Sequence, residues 1–176
     1  MKLLIPEDEI RAAVRRLGAE ITRDFAKSDP VVVPILSGSF MFAADLIREL
    51  PFPLEVDFMK VSSYKDATAP QGPIEVHLEP GTPLRGRPVL IIEDIIDSGG
   101  TLLRIIEDMR RAGAEPVKVA VLLDKRGEKG KPVPVDYTGI KRACDFVVGY
   151  GTDYAGHYRN LRGIYVLDEP DIAAYR

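Results

Sequence analysis

The sequence predicts an α/β fold, a mostly parallel central sheet flanked by helices. Three observations carry this expectation. Residues 89–92 (Val-Leu-Ile-Ile) are a continuous apolar run, as expected of a strand covered on both faces. A helical pattern follows from Ser98, with Leu102, Ile105, Ile106 and Met109 on one face and Gly113 at its end. Residues 117–123 return to an apolar run. That completes a strand–helix–strand unit, the connection that builds parallel sheets.

The remaining elements fit the same plan. Ile10, Ala13, Val14, Leu17, Ile21 and Phe25 recur at helical spacing opposite Arg11, Arg15, Arg16 and Glu20, which predicts an amphipathic helix over roughly residues 7–27. Asp29-Pro30 ends it. Residues 31–36 (Val-Val-Val-Pro-Ile-Leu) read as a buried strand, a pattern that Pro34 weakens slightly. Ser37-Gly38-Ser39 leads into a second helix through Leu50, and Pro51-Phe52-Pro53 breaks it. Residues 54–61 form the next strand candidate. Residues 62–73 hold several breakers and little to bury, so they read as a long loop suited to a lid. Residues 74–78 alternate as a strand would, and short strands follow near 146–148 and 164–167.

A chain of 176 residues is one domain with a real core, here spanning 1–176. Its 45% hydrophobic and 29% charged residues argue against disorder. A formal net charge of −3 argues against a nucleic-acid partner. Cys144 is the single cysteine, so no internal disulfide forms, and without an activating partner it reads as inert. No signal-peptide core and no bilayer-spanning apolar run is present, so a cytoplasmic protein without membrane contact is expected. His77 and His157 show no metal-ligand spacing.

The chemistry concentrates in residues 89–101. An apolar strand ends in Glu93 and Asp94, Asp97 follows three residues later, and Ser98-Gly99-Gly100-Thr101 opens a helix. Ligands of open α/β sheets bind at the carboxyl edge of the strands. The turn offers backbone N–H groups, two glycines and two hydroxyls beside a helix N-terminus, which together make a phosphate cradle. The carboxylates suit sugar hydroxyls, Mg2+ or a proton. Ser98 alone reads as a helix cap. Three carboxylates at one strand end repel each other and do not serve stability. The combination points to a phosphorylated sugar.

Glu93-Asp94-Ile95-Ile96-Asp97-Ser98-Gly99-Gly100-Thr101 resembles the signature of the type I phosphoribosyltransferases that binds phosphoribosyl pyrophosphate (PRPP). The doubled isoleucine resembles the hypoxanthine-guanine branch, and the resemblance runs from Leu36 to Leu167. It implies the type I phosphoribosyltransferase fold, with a small hood built from the chain termini. It implies a Mg2+-dependent purine salvage enzyme that converts hypoxanthine or guanine plus PRPP to IMP or GMP plus pyrophosphate. A homodimer or homotetramer is the implied assembly.

The resemblance also assigns roles. Glu93 and Asp94 would hold the ribose hydroxyls, directly or through Mg2+. Asp97 would be the general base at purine nitrogen 7, and Ser98, Gly99, Gly100 and Thr101 would bind the 5-phosphate. Leu36-Ser37-Gly38-Ser39 looks like the family's pyrophosphate loop, with Ser37 and Gly38 binding through the backbone and a cis peptide between Leu36 and Ser37. Some relatives carry lysine at position 37. Ser63 and Tyr64 resemble the start of the family's mobile lid, expected over about 62–75. Lys125 would donate to the 6-oxo group, Phe146 would stack on the base, and Val147 would bind it through its backbone. Asp153 would reach a second Mg2+ through water, and Arg159 would contact pyrophosphate. Each of these has a plain reading as well: Lys125 a solvated strand end, Phe146 core, Arg159 half of a surface ion pair. Their order around the signature favours the site.

Two other classes compete. A regulator that senses PRPP and binds RNA or DNA would show a basic stripe, whereas Arg104, Arg110 and Arg111 stand among acidic residues. A Mg2+-dependent phosphatase with a strand-end aspartate commonly carries Asp-x-Asp, and Asp94 and Asp97 are three apart.

Overall fold

The computed structural model describes residues 1–63, 74–126 and 132–173. Its elements, in chain order, are β1 (Lys2–Ile5), α1 (Glu7–Phe25), β2 (Val31–Leu36), α2 (Phe40–Arg48), β3 (Glu55–Val56), β4 (Met59–Ser63), β5 (Ile74–Leu78), β6 (Val89–Ile96), α3 (Gly100–Arg111), β7 (Val117–Asp124), β8 (Tyr137–Lys141), β9 (Val147–Val148), β10 (Ile164–Val166) and α4 (Glu169–Ala173).

The main sheet runs β5-β4-β2-β6-β7-β8, with β3 also against β2. Every pairing in it is parallel except β4 with β5. The buried side chains divide between its two faces. One cluster joins Ile10, Leu17 and Ile21 of α1 and Phe42 and Leu46 of α2 to Leu90, Ile92 and Leu122. The other joins Leu102, Ile105, Ile106 and Met109 of α3 to Val31, Val33, Val89 and Ile91. Alternate β6 residues therefore serve opposite faces, which is why its sequence shows no polar alternation.

A second, antiparallel sheet, β1-β10-β9, joins the amino-terminal strand to the carboxyl-terminal part of the chain. This is the hood that the resemblance implies. Among the described residues, no helix is long and apolar enough to cross a membrane.

Several boundaries differ from the sequence reading. The strand expected over 54–61 is two strands. Asp57 accepts backbone N–H bonds from Phe58 (2.7 Å) and Thr82 (2.8 Å), so a side chain interrupts the ladder. Pro34 does not exclude β2 from the centre. Val31 N–H donates to Pro88 O on the β6 side, and Val32 O accepts from Asp57 N–H on the other. Alternation puts the missing Pro34 N–H on the Asp57 side, at the break between β3 and β4. β6 runs through Glu93 and Asp94 to Ile96 instead of ending at the carboxylates. Phe146 lies just before β9 rather than within a strand. β1, β8 and α4 carried no clear pattern in the sequence.

The candidate active site

The site lies at the carboxyl edge of the main sheet, in a cleft of about 370 Å3. Leu36, Ser37 and Gly38 leave β2 on one side, and Glu93, Asp94 and Ile95 line the floor from β6. Thr101 contributes from α3, and Phe146, Val147, Thr152, Asp153 and Arg159 form the facing wall. Loops from both sheets, between Leu36 and Arg159, thus meet at one cleft.

The loop that follows β2 begins at a Leu36–Ser37 peptide that is cis, as the resemblance implies. The Ser39 hydroxyl, fully buried, donates to Ile35 O at 2.6 Å and folds the loop back on its strand. A side chain on Gly38 would collide with the Asp94 carboxylate. A side chain on Gly151 would collide with Gly38 O, and Gly151 has φ +102°, in the region that favours glycine. The two walls therefore touch through backbone, and both glycines are needed for that approach.

Taken alone, Ser98 reads as a cap of the third helix. Gly99 occupies the cap position instead, in the left-handed conformation, and no side chain caps α3. Ser98 is exposed. The first-turn N–H groups thus have no side-chain acceptor, which is what an incoming phosphate requires.

Glu93 is partly buried between the walls. Burial, followed by the neighbouring Asp94 carboxylate, pushes its carboxyl well above the usual range. Asp97 is different: its side chain is 78% exposed and its carboxylate lies 3.6 Å from the Lys125 ammonium. The Lys125 ammonium also donates to Asp145 O at 3.0 Å, next to Phe146. Asp97 and Lys125 therefore stand together at the Phe146 end of the cleft. Phe146 is half exposed, 49%, with its ring edge-on to Tyr154 at 5.7 Å. On the same wall, Arg159 donates to Gly151 O (2.6 Å) and pairs with Asp153 (2.8 Å), while Asp153 accepts from Gly156 N–H (2.7 Å).

The structure thus brings Ser37, Gly38, Glu93, Asp94, Thr101, Phe146, Val147, Asp153 and Arg159 to one cleft, with Asp97 and Lys125 paired beside its Phe146 end and Ser98, Gly99 and Gly100 in the turn before Thr101. The expected lid falls mostly on residues 64–73; Tyr64 lies outside the described residues, whereas Ser63 ends β4. Ser39, Tyr154 and Thr152 fall within the stretches that carry the resemblance but have no separate role in the sequence; Thr152 is buried in the cleft wall with its hydroxyl donating to Gly149 O at 2.9 Å. Their signals were weak, because each works through a contact that only folding makes.

A sequence profile described as the phosphoribosyl transferase domain matches residues 6–155. The chain belongs to the phosphoribosyltransferase family. It is 43% identical over 166 residues to a hypoxanthine-guanine phosphoribosyltransferase of Bacillus subtilis, covering 94% of this chain and 92% of the relative. It is 42% identical over 163 residues to a hypoxanthine phosphoribosyltransferase of Salmonella typhimurium, covering 92% of each. A crystal structure of a hypoxanthine phosphoribosyltransferase from Staphylococcus aureus superposes with a TM-score of 0.91 at 37% identity, over 97% of this chain and 93% of that one. The family explains why one cleft combines an uncapped helix start with acidic strand-end residues. The first suits a phosphate and the second suits a sugar.

Proposed function

We propose that this phosphoribosyltransferase joins hypoxanthine or guanine to the ribose 5-phosphate of PRPP, releasing pyrophosphate. The observation that carries the reading is the facing of two half-sites across one cleft. Glu93, Asp94 and the uncapped α3 start stand on one side, and Lys125, Phe146 and Val147 stand at the other. The same names borne by the relatives support it.

The donor set fits Mg2+. Glu93 and Asp94 on the floor and Asp153 on the wall offer oxygen ligands. Among the described residues, no group of three or more such ligands could hold a metal by itself. Magnesium commonly binds through one or two carboxylates together with substrate phosphates. When bound, it supplies charge neutralisation for the departing pyrophosphate.

The chain's own residues do the rest. Ser98, Gly99, Gly100 and Thr101 hold the 5-phosphate, and the backbone N–H groups of Ser37 and Gly38 hold pyrophosphate. Arg159 has guanidinium N–H donors to add beyond those it gives to Gly151 and Asp153. Glu93 and Asp94 bind the ribose hydroxyls and favour the positive charge that develops on the ring. Asp97 takes or shares the proton at purine nitrogen 7, which makes nitrogen 9 a better nucleophile. Lys125 donates to the 6-oxo oxygen, whereas adenine would present an amine there and leave donor facing donor. Phe146 stacks on the base.

The test is a spectrophotometric assay of the purified protein with PRPP, Mg2+ and each of hypoxanthine, guanine, xanthine and adenine. Nucleotide from hypoxanthine or guanine, and none from adenine, is the expected result. No product from any base would overturn the reading.

A further inference from the structure

The end of β7 holds an ion pair that no catalytic step above uses. Asp124 closes the strand and Arg126 follows two residues later, with Lys125 between them. Arg126 grips Asp124 as a fork. Its Nε donates to Oδ1 at 2.9 Å, its Nη2 to Oδ2 at 2.8 Å, and its backbone N–H to Oδ1 at 3.2 Å. The two side chains are only 15% and 11% exposed, so water competes little with the pair. The Arg126 guanidinium holds the Asp124 carboxyl below its usual range.

Two further contacts spread the effect. Arg126 Nη1 donates to Val133 O at 3.3 Å. Val133 is buried, and its Cγ2 would lie 2.5 Å from a Cβ on Gly99. Val133 thus backs the turn that opens α3. Meanwhile the Lys125 N–H donates to Ile96 O at 3.1 Å, immediately before Asp97. The fork fixes the backbone on either side of Lys125. A lysine reaches its target on four flexible carbons, so its aim depends on where that backbone is held.

We infer that the Asp124–Arg126 pair is a positioning device that aims Lys125 at the 6-oxo group and so sets the discrimination between 6-oxopurines and 6-aminopurines. The inference rests on the function proposed above. Neither residue touches substrate; both act through Lys125. A misplacement of about 1 Å at a contact of this kind costs up to roughly 100-fold in rate.

The experiment compares wild type with Arg126→Met, Asp124→Asn and the double variant. It reads kcat/KM for hypoxanthine and the inhibition constant of adenine as a competitor, with melting temperature as the control for folding. Each single variant should lower hypoxanthine kcat/KM about tenfold while adenine binding stays within about twofold, because only the oxo-purine uses Lys125. The double variant should be no worse than either single, as expected for partners in one device. A merely structural role would weaken both purines together and leave their ratio unchanged, and that outcome in folded variants overturns the inference. Asp124→Asn keeps the side-chain shape and reads the same ratio should Arg126→Met not fold. Wild type that forms no nucleotide overturns the function and this inference together, whereas active wild type with unchanged ratios in the variants overturns the inference alone.

Discussion

The two edges of the main sheet treat charge in opposite ways. At the amino-terminal edge, Asp24 of α1 accepts from the Lys118 ammonium at 2.6 Å and from the Tyr137 hydroxyl. That ammonium also lies over the rings of Phe25 and Tyr137, 5.9 Å and 5.4 Å from their centres. Each group of the trio has its partner within the fold. At the carboxyl edge, Glu93 and Asp94 stand side by side, and among the described residues no cation pairs with either. The neighbouring helix starts without a side-chain cap. One edge is completed by folding, and the other keeps conflicts that a ligand resolves. Local rules of stability hold at the first and are set aside at the second, as expected where a chain has been shaped for binding.

The contrast can be broken experimentally. The largest effect is expected at Asp97. Asp97→Asn removes the proton acceptor and should cost about 100-fold or more in kcat, while PRPP binding changes far less. Single-turnover kinetics beside a PRPP titration would check this, and equal turnover in the variant would refute the general-base role.

Next comes Gly151→Ala, which introduces a methyl where Gly38 O already sits and forces a side chain into positive φ. A loss of about 1–3 kcal/mol is expected from backbone strain alone. Urea denaturation reads the stability, and a raised KM for PRPP should accompany it because the loop after β2 must move.

Glu93→Gln should separate stability from binding. The raised carboxyl of Glu93 means that the folded, ligand-free protein holds a proton more tightly than the unfolded chain does. Its contribution is full below the ordinary carboxylate range and is lost as pH rises. At neutral pH the glutamine variant should therefore melt at a higher temperature than wild type. The difference should vanish below about pH 4. PRPP affinity should fall in the same variant.

The smallest effect belongs to the completed edge. Tyr137→Phe deletes one bond to Asp24 and should cost about 1 kcal/mol with kcat unchanged. Lys118, then Tyr137, holds the Asp24 carboxyl below its usual value. Its contribution is present at neutral pH and is lost as pH falls through that lowered value, so the deficit of the variant should shrink in acid. Chemical denaturation at several pH values reads it.

How much was legible depended on range. The segment from Val89 to Thr101 could be read directly, because strand, acids, turn and helix follow each other without interruption. The α1 pattern was equally plain, since its apolar spacing repeats within the helix. β1 was not legible: it is a strand because it pairs with β10, and Lys2 sits opposite Val166. β8 was hidden for a similar reason, its five residues mixing Gly139 and Lys141 into a strand that pairs with β7. The cap of α3 misled because Ser98 is a favourable residue for a role that Gly99 takes.

The α/β plan, the order of the core elements and the chemical character of the central motif follow from the order of residues alone. Those features arise from periodicity and from neighbours within a few residues. Chain folding sets Gly38 against Asp94 and Gly151, brings the Lys125 ammonium to Asp97 and Asp145, and leans Phe146 on Tyr154. It also decided that Asp124 and Arg126 would form a shielded fork behind Lys125. Most of these contacts join residues far apart in the chain. Their geometry follows from which strands become neighbours, and strand order is set by how the whole set of apolar faces is buried, not by any one segment.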